Sequence, residues 1–379
     1  MQSPHHADCD LRVRRVIKVM SDLSLNADVY WDAKYPGHQK RKNSHQDSIR
    51  EHYTENSRMS FLRSVIGLKT FHADIVKSIL QADLVYINAS GIEGLLYIKE
   101  VRRYNKKCKI IFDYHDSLPY ELFYQLQKLK LASLFKLCWP IYRFYLRHYA
   151  RYVDAIVGIS RTQVEDFKKL QLKEVNDAVV PNFRTFEKLS DTPRVVNDTD
   201  EVSLVWLGQV MKGRDLEQVA DWVSSLDEKY NFHVFGKIIN PEAESSVKAS
   251  LGDRVRFYGE FKGEKSILES LSGKVIGVFL GWNDPQDTGI NSHASPNKYF
   301  TYINMQLPVI ICKQLKELAE HVENHKAGES VSDKMEFSKA VNTIGSNYSE
   351  YCAGAESLKE YYSKTTPEDT IRDFLVKLV

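Results

Sequence analysis

The sequence predicts an α/β protein with two domains, each built on a parallel sheet. Short apolar runs alternate with helical patterns in two successive series, which is typical of parallel strands covered by helices on both faces. A polar and acidic run over 191–201 separates the two series and is predicted to be a linker. The 379 residues also exceed what one hydrophobic core usually holds.

The first series covers residues 1–190. Apolar side chains at helical spacing predict a helix over 11–25, with no strand pattern before it, so the sheet lacks its first strand or the sequence starts after it. The polar run 36–58 predicts a loop. Strands are predicted at 28–32, 84–89, 109–113, 155–159 and 178–180, and helices at 91–104, 119–151 and 161–170. We expect Pro140 to break or kink the longest of these helices.

The second series covers residues 201–360, and a final helical segment occupies 361–379. Strands are predicted at 202–207, 232–235, 255–258, 275–280 and 307–311. Helices are predicted at 214–226, 241–250, 264–272, 298–305, 314–323, 335–362 and 367–378. No repeat at solenoid spacing is present.

Composition narrows the functional classes. The net charge of the sequence is only +2, which does not indicate a nucleic-acid-binding protein. Five scattered cysteines without a CxxC pair indicate free thiols in a reducing cytoplasm. No signal peptide or membrane-spanning run is apparent. Asp198 and Asp200 have the DxD spacing of some metal-dependent transferases, but they precede a strand, so we expect no metal site.

Residues 295–311 form the most informative segment. Ser295 is a good N-cap, and Pro296 suits the first helical position, where no backbone donor is needed. The amides at this helix start, with Asn297, are expected to bind an anion. Lys298 opposes the helix dipole, which favours a phosphate nearby. The alternative is an ordinary helix–strand unit that binds nothing.

Three loops that follow predicted strands carry further candidate residues. His115 and Asp116 follow the strand 109–113, where ligands of parallel sheets bind, although they could simply cap the next helix. Gly208 opens a loop with Lys212 and Arg214, which could neutralise phosphates or form a solvated turn. Gly236 is a further candidate for ligand binding, and the alternative is that it only makes a turn. We expect Asp113 to have a structural role.

Together these segments resemble family 4 glycosyltransferases of the GT-B fold. The run from Ser295 to Ile311 is similar to the family's Ser-Pro-x-Lys-Phe/Leu-Phe-Glu-Tyr-Met-Ala-x-Gly-x-Pro-Val-Ile. Asp10-x-Arg12-Val13 resembles the start of its first helix. The loops at His115 and Gly208 resemble two loops of the family and occur in the same order along the chain. The resemblance therefore spans nearly the whole chain. It implies two Rossmann-like domains facing a cleft, with a terminal helix that returns to the N-terminal domain.

The segment also departs from the family pattern. Thr301 aligns with the acidic residue that normally holds the ribose, Gln306 with a glycine, and His293 with the first glutamate of a Glu-x7-Glu pair. That pair is therefore absent. This absence motivates one alternative, a non-catalytic GT-B partner in a glycan assembly complex. A nucleotide-sugar epimerase of the same fold is another alternative.

The resemblance implies a retaining, metal-independent transferase for cell-surface polysaccharide synthesis. It would use a nucleotide diphosphate sugar and a glycan or lipid-linked acceptor, with no other cofactor. His115 would orient the sugar, and Lys212, Arg214 and Lys298 would stabilise the leaving diphosphate. The implied donor-binding residues are Gly208, Gly236, Ser295, Pro296, Asn297 and Thr301.

A basic, aromatic-rich run over 121–151 has six Lys or Arg residues and only one acid, Glu121. Arg143 and Arg147 lie one helical turn apart, as on helices that lie on membrane surfaces. The alternative is a helix packed on its own domain with its basic side in water. With Lys40, Arg41 and Lys42, this face is predicted to meet the acceptor or an anionic membrane, placing the protein at the inner face of that membrane.

Overall fold

A computed structural model describes residues 11–32, 49–54, 73–88, 91–114, 117–170, 174–182, 186, 201–211, 214–281 and 289–378. The chain divides into two compact units. Unit 1 comprises Met1–Asn182, Thr288–His293 and Pro367–Val379, and unit 2 comprises Phe183–Asp287 and Ala294–Thr366. The expected linker lies outside the described residues except for Glu201. The residues before Leu11, for which no strand is predicted, also lie outside them.

Unit 1 is built on a parallel four-stranded sheet. Its strands are β1 (Ala27–Asp32), β2 (Ile49–Thr54), β3 (Leu84–Asn88), β4 (Lys109–Asp113), β5 (Ala155–Gly158) and β6 (Asn176–Val179). Its helices are α1 (Leu11–Asp22), α2 (Ala73–Gln81), α3 (Gly91–Tyr104), α4 (Leu118–Lys128), α5 (Phe135–Ala150), α6 (Arg161–Lys168), α10 (Ile290–His293) and α15 (Pro367–Leu378). The sheet order is β3-β4-β5-β6, and β1 and β2 form a separate parallel pair.

Unit 2 is built on a parallel six-stranded sheet. Its strands are β7 (Val202–Leu207), β8 (Tyr230–Phe235), β9 (Val255–Gly259), β10 (Lys274–Phe279), β11 (Val309–Cys312) and β12 (Gly328–Val331). Its helices are α7 (Leu216–Ser224), α8 (Pro241–Leu251), α9 (Glu264–Glu269), α11 (Asn297–Asn304), α12 (Lys316–Asn324), α13 (Lys334–Ser346) and α14 (Tyr348–Ser363). The sheet order, β12-β11-β10-β7-β8-β9, is that of a doubly wound fold.

The two faces of the unit 1 sheet bury different helices. On one face, Ile110 and Phe112 pack with side chains of α2, α3, α5 and α6. On the other face, Ile111 packs with α1 and with four residues of α15: Ile371, Phe374, Leu375 and Leu378. Because alternate residues of a strand point to opposite faces, the uninterrupted apolar run of β4 supplies both clusters.

The structure corrects several local predictions. Within the loop predicted over 36–58, residues Ile49–Thr54 form strand β2, which pairs with β1. The other residues of that predicted loop lie outside the described part of the chain. Strand β12 was missed. The helix predicted over 335–362 is two helices that meet at Asn347. α11 has Pro296 rather than Ser295 at its N-cap.

Pro140 does not break the helical run over 119–151. It lies inside α5, and the interruption falls earlier, at Leu129–Leu131. Lys130 adopts a left-handed φ of 60°, and the Leu131 amide donates to the Leu126 carbonyl at 2.7 Å. A left-handed residue of this kind ends a helix, because the chain turns to satisfy its last carbonyls.

None of the helices in the described part of the chain is both long and apolar enough to span a membrane.

Candidate functional site

The order of the unit 2 strands reverses between β7 and β10. In open parallel sheets, ligands bind outside the carboxyl ends of the strands at such a point. Val205 and Gly277 form the last residue pair between the two strands, which no longer pair beyond it. The crevice predicted by this topology therefore opens directly beyond that pair.

Tyr302 of α11 occupies the position where the two strands separate. Its hydroxyl accepts a hydrogen bond from the Leu207 amide at 3.0 Å and lies 3.1 Å from the carbonyl oxygens of Val205 and Val278. A Cβ on Gly277 would lie 2.5 Å from the Tyr302 ring, so the glycine makes room for it. Sequence reasoning missed this contact, although a glycine inside an apolar strand was an available signal.

Lys298 lies at the start of α11 with its side chain largely buried. Its ammonium nitrogen is 3.5 Å from Asp215 Oδ1 and lies over the rings of Trp206 and Phe279, 4.2 and 4.3 Å from their centroids. Only 9% of the side chain is exposed. Burial lowers the pKa of Lys298 to about 8, although Asp215 opposes this shift. The ammonium is thus engaged within unit 2.

Asp215 connects three elements around the crevice. Its carboxylate accepts hydrogen bonds from Trp206 Nε1 at 3.0 Å and from the Leu280 amide at 2.7 Å, in addition to Lys298. Arg214 lies close enough to lower the pKa of Lys298 further. Two cations and one buried carboxylate therefore gather beside the ends of β7 and β10. Their summed charge is positive, which suits an anionic ligand.

Two of the predicted donor-binding residues have a packing role. Gly208 and Gly236 follow β7 and β8, with φ angles of 145° and 144°. A Cβ on Gly236 would lie 1.7 Å from the Gly208 carbonyl oxygen. This close approach requires a glycine whether or not a ligand binds.

The other predicted donor residues lie at the start of α11. Ser295 is buried and Asn297 is exposed. Thr301 donates its hydroxyl proton to the Asn297 carbonyl at 3.1 Å, which is a bond within the helix. Lys212, from the loop after β7, lies outside the described residues.

In unit 1, the end of β4 is fixed by a buried ion pair. Arg12 lies 2.7 Å from Asp113 Oδ1, and Asp113 also accepts from Tyr86 at 2.7 Å and Asn88 at 2.9 Å. Arg12 also donates to the Val180 carbonyl, beyond β6. His115 and Asp116 lie outside the described residues.

His293 contacts Asp166 on α6, with Nε2 2.8 Å from Asp166 Oδ2. Ser160, which caps α6, donates its hydroxyl proton to the His293 carbonyl at 3.0 Å. Burial alone would raise the pKa of Asp166, but hydrogen bonds from Lys169 and His293 outweigh it and lower that pKa. The pair borders a cavity of about 230 Å³ that Arg143 and Lys169 also line.

Solved structures of glycosyltransferases superpose on the whole chain. The apo form of the lipopolysaccharide outer core galactosyltransferase WaaB has a TM-score of 0.66 and 13% identity, over 97% of this chain and 95% of that one. Anabaena HepE in complex with UDP has a TM-score of 0.67 and 14% identity, over 96% and 94%. The chain has the GT-B fold. The fold class predicted from sequence is confirmed.

Sucrose-phosphate synthase from Thermosynechococcus elongatus shares the GT-B fold as well, with a TM-score of 0.66 and 12% identity over 100% of this chain and 94% of that one. No protein-family model and no curated protein matches the sequence. Membership of family 4 stays a prediction.

Of the predicted site residues of this GT-B chain, unit 2 brings Arg214 and Lys298 together. Lys40, Arg41 and Lys42 lie outside the described residues, whereas Arg143 and Arg147 are exposed on α5. Among the residues that the structure describes, no three His, Cys, Asp or Glu side chains converge as metal ligands would.

Proposed function

We propose that the chain is a glycosyltransferase that moves a sugar from a nucleotide diphosphate sugar to a glycan or lipid-linked acceptor. The observation that carries this proposal is the cluster of Lys298, Asp215 and Arg214 at the switch point of the doubly wound sheet. A GT-B fold shared with HepE, which has been solved with UDP-glucose, supports it.

The proposed roles of the charged residues differ. Arg214 and Lys212 neutralise the leaving diphosphate directly, and His115 orients the sugar. Lys298 is paired with Asp215, so it fixes the start of α11 and keeps the electrostatic potential at that helix end positive. The backbone amides after Ser295 face the phosphates. Gly208, Gly236, Asn297 and Thr301 complete the donor site.

We propose a retaining, metal-independent reaction in cell-surface polysaccharide synthesis. The bond between the anomeric carbon and the diphosphate oxygen breaks, and the acceptor oxygen bonds to the same face of that carbon. The acceptor proton moves to the leaving diphosphate. The chief task of the protein is then to stabilise the negative charge of that group.

The first test is nucleotide binding, measured by calorimetry and thermal shift with UDP, GDP, ADP and CMP, with and without Mg²⁺. Ligand at a hundred times its dissociation constant adds about 2.7 kcal/mol of stability. We expect one diphosphate to bind without metal, and Arg214→Ala to weaken it about tenfold or more. Lys339→Ala, an exposed basic residue on α13, is the control. A folded chain that binds none of these nucleotides would overturn the proposal.

Thr301 favours a second candidate, a non-catalytic binding module. Its hydroxyl is used within α11 and offers no carboxylate to a ribose. Thr301→Glu separates the two functions in an assay of nucleotide release with added acceptor. Higher turnover than the parent supports a weakened enzyme, whereas binding without turnover in both proteins supports the module.

A further inference from the structure

Exposed apolar side chains are concentrated in one segment of unit 1. Thirteen large apolar side chains are exposed among the described residues, and seven of them fall within 124–144. They are Tyr124, Leu129, Leu131, Leu134, Leu137, Ile141 and Phe144. Such clustering in one segment indicates an interaction site, since scattered exposed residues would need no explanation.

The side chains of α5 fall on two separate faces. Phe135, Tyr142, Leu146 and Tyr149 point into the core of unit 1. Leu137, Ile141 and Phe144 follow each other at i, i+4 and i+7 and therefore form one ridge, on the side of the helix away from the core. They are 69%, 70% and 77% exposed, so the ridge is not part of the core.

A basic row runs beside the ridge. Lys136, Arg143 and Arg147 are exposed at i, i+7 and i+11, which places them on one flank of α5. No ion pair within the described part of the chain engages them. The sequence has no Asp or Glu from Leu122 to Arg151, so this surface has no acidic side chains of its own.

Arg143 also joins the ridge to two adjoining cavities. One, of about 290 Å³, is lined by Phe144, Arg147 and Lys169, and the other is the 230 Å³ cavity beside His293. Lys169 is paired with Asp166 at 2.6 Å, which raises the pKa of Lys169, and nearby Arg143 opposes that shift. The larger cavity brings the basic side chains of Arg143, Arg147 and Lys169 together, which suits an acidic headgroup.

We propose that the ridge and the basic row dock on an anionic lipid bilayer. The apolar ridge enters the boundary between headgroups and acyl chains, and the basic row remains at the level of the acidic headgroups. Charge complementarity selects this partner, because a basic row with no acidic residue in its own segment matches an anionic leaflet. The cavities lined by Arg143 then open beside the bilayer, where a lipid-linked substrate would be presented.

The test is co-flotation of the full chain with phosphatidylcholine vesicles, with and without phosphatidylglycerol. We expect binding that requires phosphatidylglycerol. Ser substitutions at Leu137, Ile141 and Phe144 should each weaken partitioning by about tenfold. Arg143→Gln and Arg147→Gln should each weaken it by about fivefold and reduce its dependence on phosphatidylglycerol.

The matched control is Val376→Ser. Val376 is 61% exposed on α15, which packs on the opposite face of the unit 1 sheet. This variant should bind vesicles as the parent does. Circular dichroism verifies that every variant is folded.

Three results would overturn the proposal. The first is that the parent chain floats with neither kind of vesicle, and the second is that the ridge variants float as well as the parent. The third is a dimer, detected by sedimentation, that the ridge substitutions dissociate, which would assign the ridge to a second copy of the chain. The readout needs no nucleotide sugar, so it is independent of the proposed glycosyl transfer.

Discussion

Lys298 and Asp215 form a buried ion pair 83 residues apart in sequence, with 3.5 Å between the ammonium nitrogen and the carboxylate. The pair connects the first turn of α11 to the loop that follows β7. Its members are 9% and 1% exposed, so each charge depends on the other and on the hydrogen bonds to Asp215.

The pKa of Lys298 makes the stability of unit 2 depend on pH. That pKa is about 8 in the folded chain, against 10.5 for an ordinary lysine. Between these values the unfolded chain keeps a proton that the folded chain has released. The free energy of unfolding therefore rises with pH, by about 3 kcal/mol between pH 8 and 10.5. Denaturation from pH 7 to 10 should show most of this rise in the parent and lose it in Lys298→Met. An equal rise in the variant would refute the assignment.

Gly236→Ala should destabilise unit 2 severely. The new Cβ would lie 1.7 Å from the Gly208 carbonyl oxygen, and φ is 144°. Gly263 has a comparable φ of 129° with nothing within 4 Å of a Cβ, so Gly263→Ala isolates the backbone strain. We expect a cost of about 1–2 kcal/mol for the control and clearly more for Gly236→Ala, measured by thermal melting. Similar losses would mean that the loop adapts.

Tyr302→Phe should cost about 1–3 kcal/mol, because it leaves the Leu207 amide without its acceptor in a buried place. Tyr361→Phe on α14 provides the control, since that side chain is 45% exposed. We also expect weaker nucleotide binding from Tyr302→Phe, measured by calorimetry. Unchanged stability and affinity would show that the strand ends hold their positions without this hydroxyl.

Asp113→Asn should destabilise unit 1 by about 3–5 kcal/mol, because the buried Arg12 guanidinium loses its counter-charge. Arg50→Gln breaks a surface pair with Asp28, in which Arg50 is 68% exposed, and should cost less than about 1 kcal/mol. Chemical denaturation compares the two variants. Equal losses would argue against a structural role for the Arg12–Asp113 pair.

Strongly apolar strands and long periodic helices could be predicted from sequence alone. Both bounds of β4, β7, α3 and α15 agree with the prediction. Strand β12 was missed because Gly328-Glu-Ser-Val331 has little apolar character. Gly328 is a glycine because a Cβ there would lie 1.8 Å from the Val309 carbonyl oxygen of β11. The strand character of β12 depends on pairing with β11, which local sequence does not encode.

The candidate site was predictable only in part for a similar reason. The position of Lys298 at a helix start indicated an electrostatic role. Its partner could not be inferred, because Asp215 approaches only once β7 and β10 lie side by side. The Arg12–Asp113 pair likewise joins residues 101 positions apart. Periodicity and spacing carry no information about such long-range contacts.

Helix α15 has a consequence for the order of folding during synthesis. Ile371, Phe374, Leu375 and Leu378 close the same core cluster as Val13 and Val16 of α1. Because α15 follows unit 2 in the chain, the ribosome has to release unit 2 and α15 before unit 1 can bury that face. Unit 2 meets no such delay, so unit 2 is expected to fold first and a nascent unit 1 to need protection from aggregation.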